Sequence, residues 1–503
     1  MSDAAAMLDP RTPVIIGVGQ LNQRVDQGEP GFEPTELMVE AVRRAATDAG
    51  ASRDADALLA GADEVAAVGV ISWRYQDPAR IVADTVGALN ARSTYTEAGG
   101  NYPQTLVNRA ALAIQAGDAD LVVLTGAEAW RTRTAARTGG GHPDWTKQAE
   151  AIAPDTLLGN GEPLAHPGEW ARQLMMPIQI YPLFENALRA ADGLSIDEHR
   201  DRISTLWSGF SEVAAGNEHA WIRRHYSPEE IRTPGPDNRM VGFPYTKLMN
   251  SNNAVEQGAS VIVASVERAR DLGVPTDRWV FPWAGTDAHD HWFVSNRWDL
   301  ASSPAMRLAG QACLDLAGVG VDDLTHVDLY SCFPSAVQIA VRELGLSLDR
   351  PLTVTGGLSF AGGPWNNYVM HSIATMTERL REDADAVGLC TANGGFVTKH
   401  AFGVYSTRPP ATPFRHLDLQ DEVDALPRRE LAEDHTGAVT VESSTVMHDR
   451  DGNPEQAWLA TLLDDGRRAW ATSTDPDLMK ALVTEETAGR AAHLAEDGTL
   501  TFT

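Results

Sequence analysis

Apolar and polar positions follow two different periods along this chain, and the switching between them outlines a fold. PVIIGVGQ (13–20) is a continuous apolar run of strand length, while TELMVEAVRRAATDAG (35–50) carries its apolar residues at helical spacing and stops at Gly50. VAAVGVIS (65–72) reads as a strand, TLVNRAALAIQAG (105–117) as a helix and DLVVLTGAEA (120–129) as another apolar strand. Strands without polar alternation are those covered on both faces, so the pattern predicts an α/β protein with buried sheets.

The second half repeats this order. PAMRLAGQACLDLAG (304–318) matches the helix at 35–50, and THVDLYSC (325–332) supplies the strand that follows. The first half runs from Gly99 and Gly100 through a helix to DADLVVLTGAEA (118–129). The second runs from Gly356 through SIATMTERL (372–380) to DADAVGLCTANGG (383–395), an offset of about 265 residues. Two halves in matching order imply a duplication. The stretch 131–245, with RTGGGHPDW, HPGEW and TPGPDNRMVGFP, is rich in Gly, Pro and Trp and reads as an inserted loop region of the kind that folds over a ligand site.

After Pro409, Pro410 and Pro413 the chain turns to strands: AVTVESSTVMHD, QAWLATLLDD and RRAWATST, with DRDGNP (449–454) and DDG (464–466) as turns. The expected organisation is a first half at 10–130 and 246–275, a loop domain at 131–245, a second half at 276–408 and a small mainly β domain, OB-like or a half-open barrel, at 409–503.

Length and composition narrow the setting. A chain of 503 residues exceeds a single core and calls for at least two folding units. No apolar run approaches the roughly 20 residues of a membrane span, and MSDAAAMLDPRT lacks the basic start and apolar core of a secretory signal. Three cysteines, Cys313, Cys332 and Cys390, make neither a disulfide framework nor a metal-ligand spacing, which points to the cytoplasm. Formal charge is 41 minus 69, or -28, which repels nucleic acid and anionic membranes. The tail, rich in acids and poor in stacking aromatics, is likewise unsuited to nucleic acid.

With these elements in place the chain resembles the thiolase superfamily over residues 10–408. The resemblance is carried by GGNYPQTLVNRAALAIQAGDADLVVLTGAEA, NSNNAVEQGASVIVASVERARDLG, YSCFPSAVQIAVRELGL and GGLSFAGGP. It is closest to thiolases of the sterol-carrier-protein type, and the tail is similar to that of thiolase-like proteins with an additional C-terminal domain. The resemblance implies two βαβαβαββ halves in a five-layered αβαβα core, and coenzyme A thioesters as substrate or ligand with no separate cofactor or metal. It leaves a monomer or a homodimer open, as well as a partner protein docking through the C-terminal domain.

The resemblance also assigns four loops. The nucleophilic Cys of thiolases falls on Gly100, followed by Asn101, and the His of the Gly-His-Pro loop falls on Gly363, between Gly362 and Pro364. Cys and His act as a unit that generates a thiolate, so loss of both removes the acylation step. The His-Asp-Cys-Phe loop of the sterol-carrier type falls on Tyr330, Ser331, Cys332 and Phe333, and the Cys-x-Gly loop on Asn393, Gly394 and Gly395.

Cys332 then has two readings: an acid/base or replacement nucleophile at the bottom of an acyl pocket, or a small core residue. Cys313 and Cys390 read as core. His400 and Asn393 are the other candidate catalytic side chains, with Lys399 beside them. Asn101, Tyr330, Ser331, Gly362 and Gly395 are candidates for substrate contact, and Asn101 also reads as a helix cap. The expected function is a protein that binds coenzyme A or acyl thioesters without ordinary thiolase turnover. The alternatives are an acyltransferase rebuilt around Cys332 or His400, and a non-catalytic partner subunit.

Overall fold

The computed structural model describes residues 8–25, 31–52 and 54–503. Two sheets form the body. The first has the strand order Pro13–Asn22, Glu256–Ser265, Leu121–Ala129, Glu64–Ala67, Arg92–Thr96 and Thr156–Leu158. The second has the order Phe281–His289, Lys399–Ser406, Val387–Gly394 and His326–Asp328, with Arg415–Asp418 added outside Phe281–His289. In both sheets the first strand of the half is antiparallel to the last. That last strand is antiparallel to its other neighbour, Leu121–Ala129 in the first sheet and Val387–Gly394 in the second, which is in turn parallel to the strand beyond it. Shared order and shared direction make the duplication a property of the fold.

The strands that read as unbroken apolar runs lie between helices. Leu121–Ala129, Glu256–Ser265, Val387–Gly394 and Lys399–Ser406 are buried along their whole length. Helices Tyr102–Ala116 and Tyr368–Glu382 form the middle layer and touch both sheets, while Pro34–Asp48 covers the first sheet outside and Pro304–Ala317 the second. This is the five-layered αβαβα arrangement. The middle helix Tyr102–Ala116 carries buried Gln104 and Asn108, which need both partners and room. Gln104 takes a hydrogen bond from the Tyr405 hydroxyl at 2.7 Å, and Asn108 gives one to Asp287 at 2.9 Å. The room comes from Gly403 and Gly285, where a β-carbon would overlap the Gln104 and Asn108 amides.

The apolar run at 65–72 is strand only over Glu64–Ala67, and that at 325–332 only over His326–Asp328. In each the chain then leaves the sheet and enters a loop that lies near the cavity described below.

The C-terminal unit is an antiparallel sheet in the order Arg468–Ser473, Pro454–Leu462, Gly437–His448, Ala491–Leu494 and Leu500–Phe502, with one helix, Pro476–Thr484. Its ends curl together through a bridge between Thr472 and Thr499, the Thr472 N–H reaching the Gly498 carbonyl at 2.9 Å, which makes a partly closed barrel. Met240–Gly242, from the loop region, pairs with Gly437–His448.

Side chains alternate across this sheet, and the two faces have different partners. Ala457 and Leu459 face the unit's own core, whereas Trp458 and Ala460 join the core of the main body. The polar part of this junction centres on Arg468, which is fully buried. Its guanidinium grips Glu442 with two bonds of 2.7 Å and donates to the carbonyls of Val294, Ser295 and Arg297 at 3.1, 2.9 and 2.7 Å. Removing one partner of a buried charge pair costs about 3–5 kcal/mol, because the other is left unpaired. Arg468→Met is therefore expected to lower the thermal midpoint clearly in a melting experiment; an unchanged midpoint would show that the docking does not rest on this residue.

Candidate functional site

Loops from both halves and from the inserted region close around a cavity of about 380 Å³. The turn at Ala98–Gly100, ahead of the middle helix, forms one wall. Tyr330, Cys332 and Phe333 form the floor beside Asn393–Phe396; Met175–Ile178 with Tyr181 complete it from the inserted region, and Asn250, Ser251 and Asn253 from the return of the first half. Of the residues read from the sequence, Gly100, Tyr330, Cys332, Asn393 and Gly395 meet here.

Gly363 stands one layer behind. A β-carbon there would lie 2.8 Å from Asn253 Oδ1 and 3.3 Å from Ser251 Cβ, both residues of the cavity wall. Gly362 lines a separate small void with His371 and Gln20, where its φ of 113° suits glycine alone. Ser331 is fully buried and outside the cavity, as are Cys313 and Cys390 in the core. Asn101 opens the middle helix without a side-chain cap bond, contrary to the capping expectation, since its own backbone is already helical with ψ of -28°. It lines an outer groove instead, together with Lys399 and Trp292.

His400 is also parted from Cys332. It pairs in register with Asn393, but its Nε2 lies 3.3 Å from Asp290 Oδ2, 3.2 Å from Ser303 Oγ and 3.1 Å from the Val397 carbonyl. Burial alone would raise the Asp290 carboxyl, yet the Arg297 guanidinium at 2.8 Å, together with His400, holds it down at about 2. His400 belongs to this buried charge cluster rather than to the cavity wall. Lys399, also buried, donates to the Ala98 carbonyl at 2.6 Å between the rings of Tyr102 and Trp292, and desolvation lowers its amine to about 8.

Two features set the chemistry of the cavity. The first is steric. A β-carbon at Gly100 would stand 2.6 Å from the Tyr330 hydroxyl and would also overlap the Asn393 carbonyl, so the space of any larger residue at 100 is already filled by Tyr330. The second is electrostatic. The lining contains no Asp, Glu, Lys, Arg or His, and the groups there that can titrate are Tyr181, Tyr330 and Cys332. Burial pushes both tyrosines well above their ordinary range and the Cys332 thiol up to about 12. All are neutral at pH 7, and no base faces the cavity.

Tyr181 was invisible to motif reasoning, because its stretch YPLFENAL has no chemical signature. Its ring stacks on Phe333, with centroids 4.4 Å apart, and its hydroxyl donates to the Gly395 carbonyl at 3.1 Å. The same oxygen accepts from Asn393 Nδ2 at 3.1 Å and from the Val397 N–H at 3.2 Å. Val397 is β-branched with φ of 55°, a costly backbone state, and the bond from its amide to Tyr181 helps to hold it.

Comparison with known proteins adds to this geometry. A model described as the thiolase-like protein type 1 additional C-terminal domain matches residues 418–499. Among solved structures, a monomeric SCP2-thiolase-like protein type 1 from Mycobacterium smegmatis is 34% identical, with a TM-score of 0.83, over 99% of this chain and 100% of that one. The Ltp2-ChsH2(DUF35) aldolase is 19% identical with a TM-score of 0.59, over 80% of this chain and 99% of that one. The dimeric peroxisomal thiolase of Saccharomyces cerevisiae is 14% identical with a TM-score of 0.57, over 81% and 100%. These last two share the fold. Among the described residues no helix is long and apolar enough to cross a membrane, and no cluster of His, Cys, Asp or Glu could hold a metal ion.

A thiol reacts as its thiolate, so the raised value at Cys332 has a direct readout. In the native protein all the cysteines are buried and pushed upward, and alkylation by iodoacetamide at pH 8 should be far slower than for free cysteine. The rate should keep climbing as pH rises, without a plateau near neutrality. A fast-reacting Cys332 identified by mass spectrometry would contradict the neutral cavity.

Proposed function

Because the chain belongs to the family of SCP2-thiolase-like proteins of type 1, we propose that its cavity binds acyl thioesters of coenzyme A and that the protein carries out no thiolase turnover. The observation that carries this reading is the cavity wall itself. Its uncharged lining suits a neutral thioester arm, and its volume falls within the range of small-molecule sites.

The lack of turnover follows from two aligned losses. Gly100 and Gly363 supply no thiol and no imidazole, and Tyr330 closes the space in which a thiol at 100 would act. Neither Cys332 nor His400 compensates. Cys332 is held protonated, and His400 is committed to Asp290 and Ser303. Asn393 serves on this reading as a binding group, with Gly395 supplying backbone beside it. A cytoplasmic setting accords with the free cysteines and the acidic surface.

We propose further that the chain is a monomer, as its Mycobacterium smegmatis relative is described to be. The exposed side of Arg92–Thr96, which would otherwise be the open edge of the first sheet, is paired with Thr156–Leu158 of the inserted region. The outer edge is then the three-residue strand Thr156–Leu158, and a very short edge is a poor template for sheet extension between copies.

Calorimetric titration with acyl coenzyme A should show saturable binding, while acetoacetyl coenzyme A with free coenzyme A should yield no acetyl coenzyme A above background. Thiolysis at ordinary enzymatic rates would refute the reading. Light scattering on the eluting protein should give one chain's mass, and a stable dimer would refute the assembly proposal alone.

A further inference from the structure

Lysine is scarce in this chain: of its 41 Lys and Arg residues four are lysines, Lys147, Lys247, Lys399 and Lys480. Three of the four are exposed, whereas Lys399 is buried, at 8% exposure. It lines the outer groove, a space of about 400 Å³. The turn at Ala98–Asn101 separates this groove from the cavity, with Ala98 and Gly100 on the cavity side and Asn101 on the groove side, and the two spaces share no lining residue.

The amine itself, and not its stem alone, stands among groove residues. Nζ lies 5.1 Å from the centre of the Tyr102 ring and 5.7 Å from that of Trp292, and both rings line the groove. One of its three donors goes to the Ala98 carbonyl at 2.6 Å. Directly opposite Lys399 in the antiparallel ladder, where an acid would pair with it, stands His289. Asp287, on the same strand as His289, is taken up by His416 at 2.8 Å and by Asn108 at 2.9 Å. Among the described residues Lys399 forms no ion pair; Glu97 acts on it from farther away, and more weakly than burial does.

The buried arginines show the contrast. Arg189, Arg297 and Arg468 each hold a carboxylate. A post for a permanent charge is better made of arginine, which stays protonated in proteins, whereas a buried amine without a counter-ion sheds its proton readily. Desolvation lowers Lys399 to about 8 accordingly. A desolvated, neutral lysine amine is a nucleophile toward carbonyl carbon. We infer that Lys399 is a reactive amine that forms a Schiff base with an aldehyde or ketone held in the outer groove. The amine lone pair forms the N–C bond as the carbonyl π pair moves to oxygen, and a proton passes from nitrogen to that oxygen through solvent. The hydroxyl then leaves with the remaining N–H proton as water, which gives the C=N bond and needs neither oxidant nor reductant. This activity is independent of the thioester reading.

The experiment is reductive trapping on the full chain with propionaldehyde and sodium cyanoborohydride at pH 7.5, each of the four lysines being followed by peptide mass spectrometry. Lys399 should be alkylated at least about tenfold faster than Lys147, Lys247 or Lys480, because a lowered amine is unprotonated in far larger part than an ordinary one. In denaturant the four should react alike. Labelling of Lys399 no faster than that of the exposed lysines in the folded protein would overturn the inference and leave the thioester reading standing. A Lys399 that stays fast after unfolding would take the effect out of the groove and overturn it as well.

Discussion

The contact between the Tyr330 ring and the backbone at Gly100 is the constraint on which the rest of the site depends. Glycine at 100 lets the turn before helix Tyr102–Ala116 approach Tyr330, and the ring in turn leaves no space for a β-carbon there. Each residue explains the other. The volume a side chain at 100 would take belongs to a phenol contributed by the other half. Both residues come from loops, and the loops are positioned by the two buried sheets.

Neutrality follows from the same packing. Phe333 lies between Tyr181 and Tyr245, with ring centroids 4.4 and 5.6 Å away, and Cys332 is buried next to this aromatic wall. In such surroundings an ionised group is costly unless it is paired, which is why Cys332 remains a thiol. The charged groups near the site are kept in a separate compartment. Glu185, fully buried, accepts from Tyr245 at 2.5 Å and from Gln338 at 2.6 Å and lies 2.5 Å from His199, all behind the aromatic wall. Asp290, Arg297 and His400 form a second such group beyond Val397. The cavity is uncharged because Glu185, Asp290 and Arg297 are bonded away from it and Lys399 lines the outer groove instead.

Much of the fold was legible from local pattern. Apolar runs such as DLVVLTGAEA became fully buried strands, and the repeated Asp-Ala-Asp ahead of such a run marked equivalent strands in the two sheets. The tail's strands and turns followed from alternation and from DRDGNP and DDG. What sequence could not give was contact between distant segments. Arg415–Asp418, which follows a run of prolines, becomes an edge strand of the second sheet because Phe281–His289 offers it a free side. Tyr181 enters the cavity from a helix of the inserted region, which has no motif to announce it. His400 directly faces Asn393 across a β pair, yet it turns to Asp290, more than a hundred positions away in sequence. Asn101 has the residue type of a cap and lacks the extended backbone that capping requires.

The C-terminal unit can be read in the same terms. Its sheet is two-faced, and the face that a free-standing barrel would show to water is spent on the main body through Trp458 and Trp470. Trp470 Nε1 donates to Ser295 Oγ at 2.8 Å, Arg468 holds the carbonyls on either side of Asn296, and Arg297 reaches on to Asp290 and to the Val397 carbonyl. Val397 donates to Tyr181, and Tyr181 fixes the Asn393 amide. An unbroken line of hydrogen bonds thus runs from the appended sheet to the cavity floor. Adjacency of this kind is not in itself energetic coupling. It does mean that the strained backbone at Val397 is bonded by Arg297, whose own carbonyl is held by Arg468 of the added domain. On this account the added domain is tied through hydrogen bonds to the residues that hold the Asn393 side chain in place.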